Sequence, residues 1–335
     1  MTSLSLRTAG TTVAVEDLTG RRAAALARAA GVHTATGSGS SSWGVRVVIE
    51  RTHKPFDTRG MLPVTRGVRA GDGTVVLESV GGSGFSQRWE VRDGHLDVSS
   101  RWAPSALERA ANLARSRAAA LRAQVLLHYP ALWWAGTRGQ VPLHVSVLEI
   151  DSVVVLLAGP GGVGKSTLVA DALAAGARAT CDNVAVCDGD RTFGLREPLR
   201  LAVADGGPAH GARTTHGRRE LPWTRHVPSL VPDLVVVVRR GDGPRVRPIA
   251  PEQARDALVA GTYAAGELRR FWPLAAVVGL ATGVGPVHPH VEDVADRLTS
   301  RLPCLDLELG RRPGVPLHIL LGPYLDRARR QESSR

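Results

Sequence analysis

The chain is 335 residues long, 43% hydrophobic and 22% charged, a balance that excludes general disorder and allows one substantial core plus an accessory domain. Its formal net charge of +11 sits mainly in residues 1–140, where 18 Lys and Arg face 10 Asp and Glu. No basic run is interleaved with aromatics or set in a nucleic-acid motif, so the excess reads as a generally basic surface, with an anionic partner left open.

The longest apolar runs, residues 153–159 and 234–238, are strand-sized, so no membrane partner is expected. The first ten residues lack the basic flank and apolar segment of a secretory signal, which makes the cytoplasm the expected compartment. Cys181, Cys187 and Cys304 are odd in number and lack a C-x-x-C spacing, so neither a disulfide framework nor a zinc site is indicated.

In chain order, residues 16–30 read as a short amphipathic helix and residues 34–42, small and polar, as a flexible connector; together residues 1–42 are expected to precede the first ordered domain. From residue 43 to 100, short β-rich stretches alternate with Gly/Asp turns such as Asp93-Gly94, which predicts a small antiparallel sheet. Ala103-Pro104-Ser105 then opens a long helix to about residue 127, expected to bridge two domains, so that 43–140 form a β-rich domain.

Residues 141–149 and 153–159 flank Ile150-Asp151-Ser152 as a hairpin whose second strand enters a glycine loop. Beyond it the pattern predicts a helix at 165–175, strands around Asp182, at 184–187 and at 234–238, and helices near 251–261, 264–279 and 291–302. This α/β mixture defines an expected catalytic domain over 141–325, followed by a basic, frayed tail over 326–335.

Gly159-Pro160-Gly161-Gly162-Val163-Gly164-Lys165-Ser166 matches G-x-x-x-x-G-K-[ST] in full, after an apolar strand and before a helix-forming segment. Glycines at these positions let successive backbone N–H groups face one concavity, and the helix N-terminus adds a favourable dipole for polyphosphate. Lys165 is expected to bridge terminal phosphate oxygens of ATP, the Ser166 hydroxyl to ligate Mg²⁺, and Thr167 to support the helix start. Only Lys54 and Lys165 among 42 basic residues are lysine, so a lysine kept in this loop points to a need for a compact ammonium.

A strand-terminal acid is needed to complete a magnesium site. Asp233 precedes its apolar run and falls at the wrong end. Asp182 follows a short strand directly after the loop helix and fits better, although Asp182-Asn183 also reads as a turn between strands. His144, in Leu143-His144-Val145-Ser146 on the strand paired with the one feeding the loop, reads either as a structural histidine or as a catalytic one.

Leu143-His144, the loop 159–167 and the Asp182 pair after an Ala-rich helix, with Phe193-Gly194 through Leu201 and Gly217-Arg218-Arg219 further on, resemble the catalytic domain of the HPr kinase/phosphorylase family over about residues 140–300. The resemblance implies a P-loop kinase domain of the HPr-kinase type beside a smaller β-rich N-terminal domain. It implies Asp182 as the base that orients or deprotonates an acceptor hydroxyl and reaches Mg²⁺, and His144 as a polar neighbour of the transferring phosphate. Asn183 stands where the family has a second acid; an amide can hold Mg²⁺ but cannot act as a base. Arg218 or Arg219 would bind ATP phosphates or the acceptor, or form a solvated loop.

The N-terminal region does not resemble that of full-length HPr kinases, so an acceptor other than HPr is implied. By resemblance to shorter relatives, a Ser or Thr of a protein or peptide, such as a ribosomal natural-product precursor peptide, is the candidate, and an oligomer is compatible with the family. Asn183 favours a second reading, a regulatory protein that holds ATP without transferring phosphate.

Overall fold

A computed structural model describes residues 2–32, 43–114, 118–202, 212–213, 217–310 and 315–332; the expected connector at 34–42 lies outside them. The first strands and helix are β1 (Thr2–Thr8), β2 (Thr11–Asp17), α1 (Ala23–Ala29), β3 (Val45–Ile49), β4 (Leu62–Thr65), β5 (Val68–Gly71), β6 (Thr74–Leu77), β7 (Phe85–Arg92) and β8 (His95–Trp102). Helices α2 (Ala106–Ala114), α3 (Ala118–Ala123) and α4 (Tyr129–Gly136) follow, the last two joined by a π-helical turn over Gln124–His128.

Next come β9 (Val141–Leu143), β10 (Ser146–Ile150), β11 (Val153–Ala158), α5 (Lys165–Ala174), β12 (Arg178–Cys181), β13 (Ala185–Cys187) and β14 (Thr192–Gly194). Short strands β15 (Leu199–Ala202), β16 (Ala212–Arg213), β17 (Arg218–Leu221) and β18 (Ser229–Leu230) lead to β19 (Leu234–Arg240) and β20 (Arg245–Pro248). The chain then forms α6 (Pro251–Ala264), α7 (Gly266–Thr282), α8 (Val291–Arg301), β21 (Cys304–Leu309) and α9 (Leu317–Glu332). Among the described residues no helix is long and apolar enough to cross a membrane.

The chain divides into two compact units: Met1–Gly139 with Arg196–Pro222 and Arg270–His288, and Gln140–Leu195 with Trp223–Arg269 and Pro289–Arg335. The ranges expected from sequence, 1–42, 43–140, 141–325 and 326–335, do not coincide with them. Unit membership depends on pairings distant in sequence, which local pattern does not encode.

In the first unit an eight-stranded sheet runs β1-β2-β3-β8-β7-β6-β5-β4. The N-terminal residues are thus strands of this sheet: Leu4, Leu6, Val13 and Val15 alternate onto its buried face, and Ala9 and Gly10 turn between them at φ 46° and 70°. The expected helix at 16–30 shortens to α1, because residues 16 and 17 remain in β2. The sheet is mixed, not antiparallel as expected: β3 pairs parallel with both β2 and β8, and α1 lies in the β2–β3 connection, as a crossover requires. Asp17 fixes the start of α1, accepting from the backbone N–H groups of Thr19, Arg22 and Ala23 at 3.0, 2.6 and 3.1 Å.

Ser105 caps α2 reciprocally with Glu108, whose N–H donates to Ser105 Oγ at 3.2 Å while its carboxylate accepts from the Ser105 N–H at 2.8 Å. The expected bridging helix therefore begins where predicted, but α2, α3 and α4 all belong to the first unit. Strands β15-β17-β16 form a separate sheet of the same unit.

The second unit holds a six-stranded sheet, β12-β10-β11-β19-β21-β20, and a four-stranded one, β18-β14-β13-β9. Every residue of β11 is buried, and it pairs parallel with β19, as a strand covered on both faces should. Asp151 and Ser152, at φ 50° and 68°, form the two-residue turn of the predicted β10–β11 hairpin. The predicted first strand of that hairpin is split: 141–143 join the four-stranded sheet, and pairing with β11 starts at Ser146. At the C-terminus, residues 326–332 of the tail expected to fray are instead the last turns of α9, and residues 333–335 lie outside the described residues.

Candidate functional site

The glycine loop leaves the C-terminal end of β11 and enters α5. Gly159, Gly162 and Gly164 adopt φ of 137°, 81° and 118°, the left-handed region that a side chain resists. At Gly159 the need is also spatial: a Cβ there would lie 2.5 Å from the main-chain oxygen of Val238 on β19. Val163 is buried and pins the loop, Gly161 and Thr167 are exposed, and Ser166 is half-buried in the first turn of α5.

Lys165 is 4% exposed, and its ammonium donates to the carbonyls of Gly159 at 2.7 Å and Pro160 at 3.2 Å. Burial pushes it down from its ordinary value of 10.5 to about 8, with the Asp182 carboxylate opposing the shift. Asp182 and Lys165 are therefore electrostatic neighbours.

Strand register explains how they meet. β10 lies between β11 and β12 and runs antiparallel to both, pairing Ser146 with Leu157 and Val147 with Cys181. The C-terminal ends of β11 and β12 thus share one sheet edge, about 10 Å apart at two strand spacings. Asp182 leaves that edge and is buried. Ser146 Oγ donates to its main-chain oxygen at 2.7 Å, and Cys181 Sγ lies 3.4 Å from the Val145 oxygen. Asn183 follows, half-buried.

His144 also lies at this edge, in the break between β9 and β10 and not within a strand as expected. It is buried, and its backbone N–H donates to Thr262 Oγ1 on α6 at 3.1 Å. α6 closes on the loop through Gly261, where a Cβ would come within 3.4 Å of the Gly159 oxygen.

Asp233 is at the opposite end of β19, where its N–H donates to Val154 O and its carboxylate accepts from Val154 N–H, each at 2.8 Å. With β11 and β19 parallel, that is about 15 Å of strand from the loop. The structure therefore brings together the loop, Asp182, Asn183 and His144, all in the second unit. Arg218 and Arg219 lie on β17 in the first unit, opposite Ala202 and Leu201 of β15.

Sequence reasoning missed Gly261 and Arg240, which reach the loop from α6 and from the end of β19, and Thr262, which accepts from the His144 backbone. Only strand alternation after residue 234 carried a signal, and only for Arg240. Among the described residues no group of three or more His, Cys, Asp or Glu forms a metal cage. One hydroxyl, one carboxylate and one amide suit a Mg²⁺ ion that takes its remaining ligands from water and phosphate oxygens.

The described residues thus define a mixed α/β protein with several sheets. No protein-family model matches the chain, and no curated protein matches its sequence. Among solved structures it is similar to one described as the Hpr(Ser) kinase/phosphatase from Coxiella burnetii, at 12% identity and a TM-score of 0.29, covering 58% of this chain and 93% of that one.

Proposed function

We propose that the protein is an ATP- and Mg²⁺-dependent phosphotransferase of the HPr-kinase type, acting on a hydroxyl of a protein or peptide. The observation that carries this reading is Lys165: a buried ammonium inside a complete G-x-x-x-x-G-K-S loop, on a strand–loop–helix unit, with the Asp182 carboxylate beside it.

In this reading the N–H groups at the start of α5 and the Lys165 ammonium hold the ATP phosphates, and neutralise charge that develops on transfer. Asp182 takes the proton of the acceptor hydroxyl; the hydroxyl oxygen forms a bond to the terminal phosphorus as the bridging P–O bond breaks, and ADP leaves with that electron pair. His144 stands beside the transferring group. Ser166, Asp182 and Asn183 would hold Mg²⁺, which supplies charge neutralisation at the phosphates. A ribosomal precursor peptide is the candidate acceptor.

The test is ATP consumption and intact-mass analysis of candidate peptides with wild-type, Lys165→Ala and Asp182→Ala protein. The expected result is a Lys165-dependent gain of one phosphate, lost or slowed at least a hundredfold in Asp182→Ala. Phosphate transfer at the wild-type rate by Asp182→Ala would remove that residue from the mechanism. Asn183 favours a second reading, a regulatory protein that binds ATP without turnover. Lys165-dependent binding with no product on any acceptor would select it.

A further inference from the structure

β19 ends in two arginines that alternate across the sheet. Arg239 is engaged by acids: its Nε donates to both oxygens of Asp306 at 2.8 and 2.9 Å, and Glu308 lies at its Nη2. Arg240 takes the other face. Its Nη1 donates to the Gly310 carbonyl at 3.1 Å, and a Cβ on Gly164 would lie 3.2 Å from its Nη2.

Gly164 is the residue that caps the start of α5, and Lys165 follows it. The guanidinium is therefore held against a helix N-terminus, which itself carries roughly half a positive charge, one residue from a buried ammonium. Among the described residues no acid pairs with Arg240. Arg240 is exposed, unlike Lys165, so its guanidinium and the helix N-terminus beside it both favour an anion at the mouth of the loop.

We propose that Arg240 is a second phosphate-binding residue of the loop, gripping a nucleoside di- or triphosphate together with Lys165 and selecting it over a monophosphate. The Gly310 carbonyl fixes one edge of the planar guanidinium and leaves the other for phosphate oxygens, a two-pronged contact that lysine does not reproduce. The absence of a side chain at Gly164 gives the guanidinium its place. This assignment rests on the nucleotide-binding reading of the loop.

The test is calorimetric titration of ATP, ADP and AMP, each with Mg²⁺, into wild-type, Lys165→Ala, Arg240→Ala, Arg240→Lys and Arg245→Ala protein, with melting temperatures of the free proteins. Arg240→Ala should weaken ATP and ADP about tenfold or more and narrow their advantage over AMP. Arg240→Lys should recover only part of it. Arg245→Ala removes the same formal charge from the exposed strand β20 and should bind as wild type. Free Arg240→Ala should melt close to wild type, since the side chain is exposed.

If Lys165→Ala loses ATP while Arg240→Ala binds as wild type, the role of Arg240 is overturned and the loop reading stands. If wild type binds no nucleotide, the loop reading falls and Arg240 with it. Equal weakening by Arg245→Ala, or weaker binding with a lowered melting temperature in Arg240→Ala, would each show the effect to be general charge or folding, and overturn the assignment.

Discussion

Ser146 Oγ donates to the main-chain oxygen of Asp182 at 2.7 Å, tying the first residue of β10 to the residue that leaves β12. Both residues are buried, so the bond has no water to replace it. Ser146→Ala should cost about 1–3 kcal/mol in denaturant unfolding, the penalty of an unsatisfied buried carbonyl. It should also lower kcat more than it weakens ATP binding, because the loop is untouched while Asp182 is loosened. A fall in ATP affinity with unchanged kcat would contradict this.

The Lys165 ammonium gives the protein a pH signature. Its proton affinity is lowered from 10.5 to about 8 on folding, so below pH 8 the folded state carries the full cost of a buried charge. Between about 8 and 10.5 the unfolded chain keeps the proton that the folded chain has released, and stability rises with pH by up to roughly 3 kcal/mol. Lys165→Met should abolish that rise. Only two lysines occur in the sequence, so a ¹³C-lysine NMR titration follows Lys165 directly, with Lys54 as the second signal. Asp182→Asn should move the Lys165 midpoint further down, since the carboxylate raises it; no movement would separate the two residues.

Some of this was legible in sequence and some was not, for physical reasons. The loop is encoded locally, because glycines at 159, 162 and 164 are what the left-handed backbone there requires. The Asp151-Ser152 turn and the Ser105 cap are local too. β1 and β2 are not legible in sequence because Ala9-Gly10 is a weak hairpin signal and the Ala-rich stretch after residue 22 favours a helix. The parallel pairing of β3, the unit that holds Arg218 and Arg219, and the approach of Gly261 to Gly159 all depend on contacts far apart in sequence. His144 is expected within a strand, because the unbroken alternation of Val141, Leu143, Val145 and Val147 hides the change of sheet at 144 and 145.

The loop glycines make separable predictions about folding and binding. Gly159→Ala places a methyl group 2.5 Å from the Val238 oxygen at φ 137° and should cost about 1–3 kcal/mol of stability. A Cβ on Gly161 meets nothing within 4 Å, so Gly161→Ala should fold within about 0.5 kcal/mol of wild type. Its methyl group would nevertheless crowd the backbone N–H groups of the loop and weaken ATP measurably. Equal destabilisation of the two variants would mean that the loop backbone differs from the one described.

Asp17 should control the acid limb of the first unit. Burial pushes its carboxyl up, but donors on the Thr19 hydroxyl and the backbone of Arg22, Ala23 and Thr19 bring it below 3.8. A depressed carboxylate stabilises the fold above its unfolded value and loses that contribution as pH falls through the folded one. Asp17→Asn keeps the shape but weakens the acceptor at the start of α1, and should cost about 1–2 kcal/mol at pH 7. The gap between the two proteins should hold constant down to about pH 5 and begin to narrow below about pH 4, as pH falls toward the folded value and wild type loses the same charge. Urea midpoints measured from about pH 2 to 7 check this; a gap that does not narrow at all across that range would assign the loss to packing and not to the carboxylate.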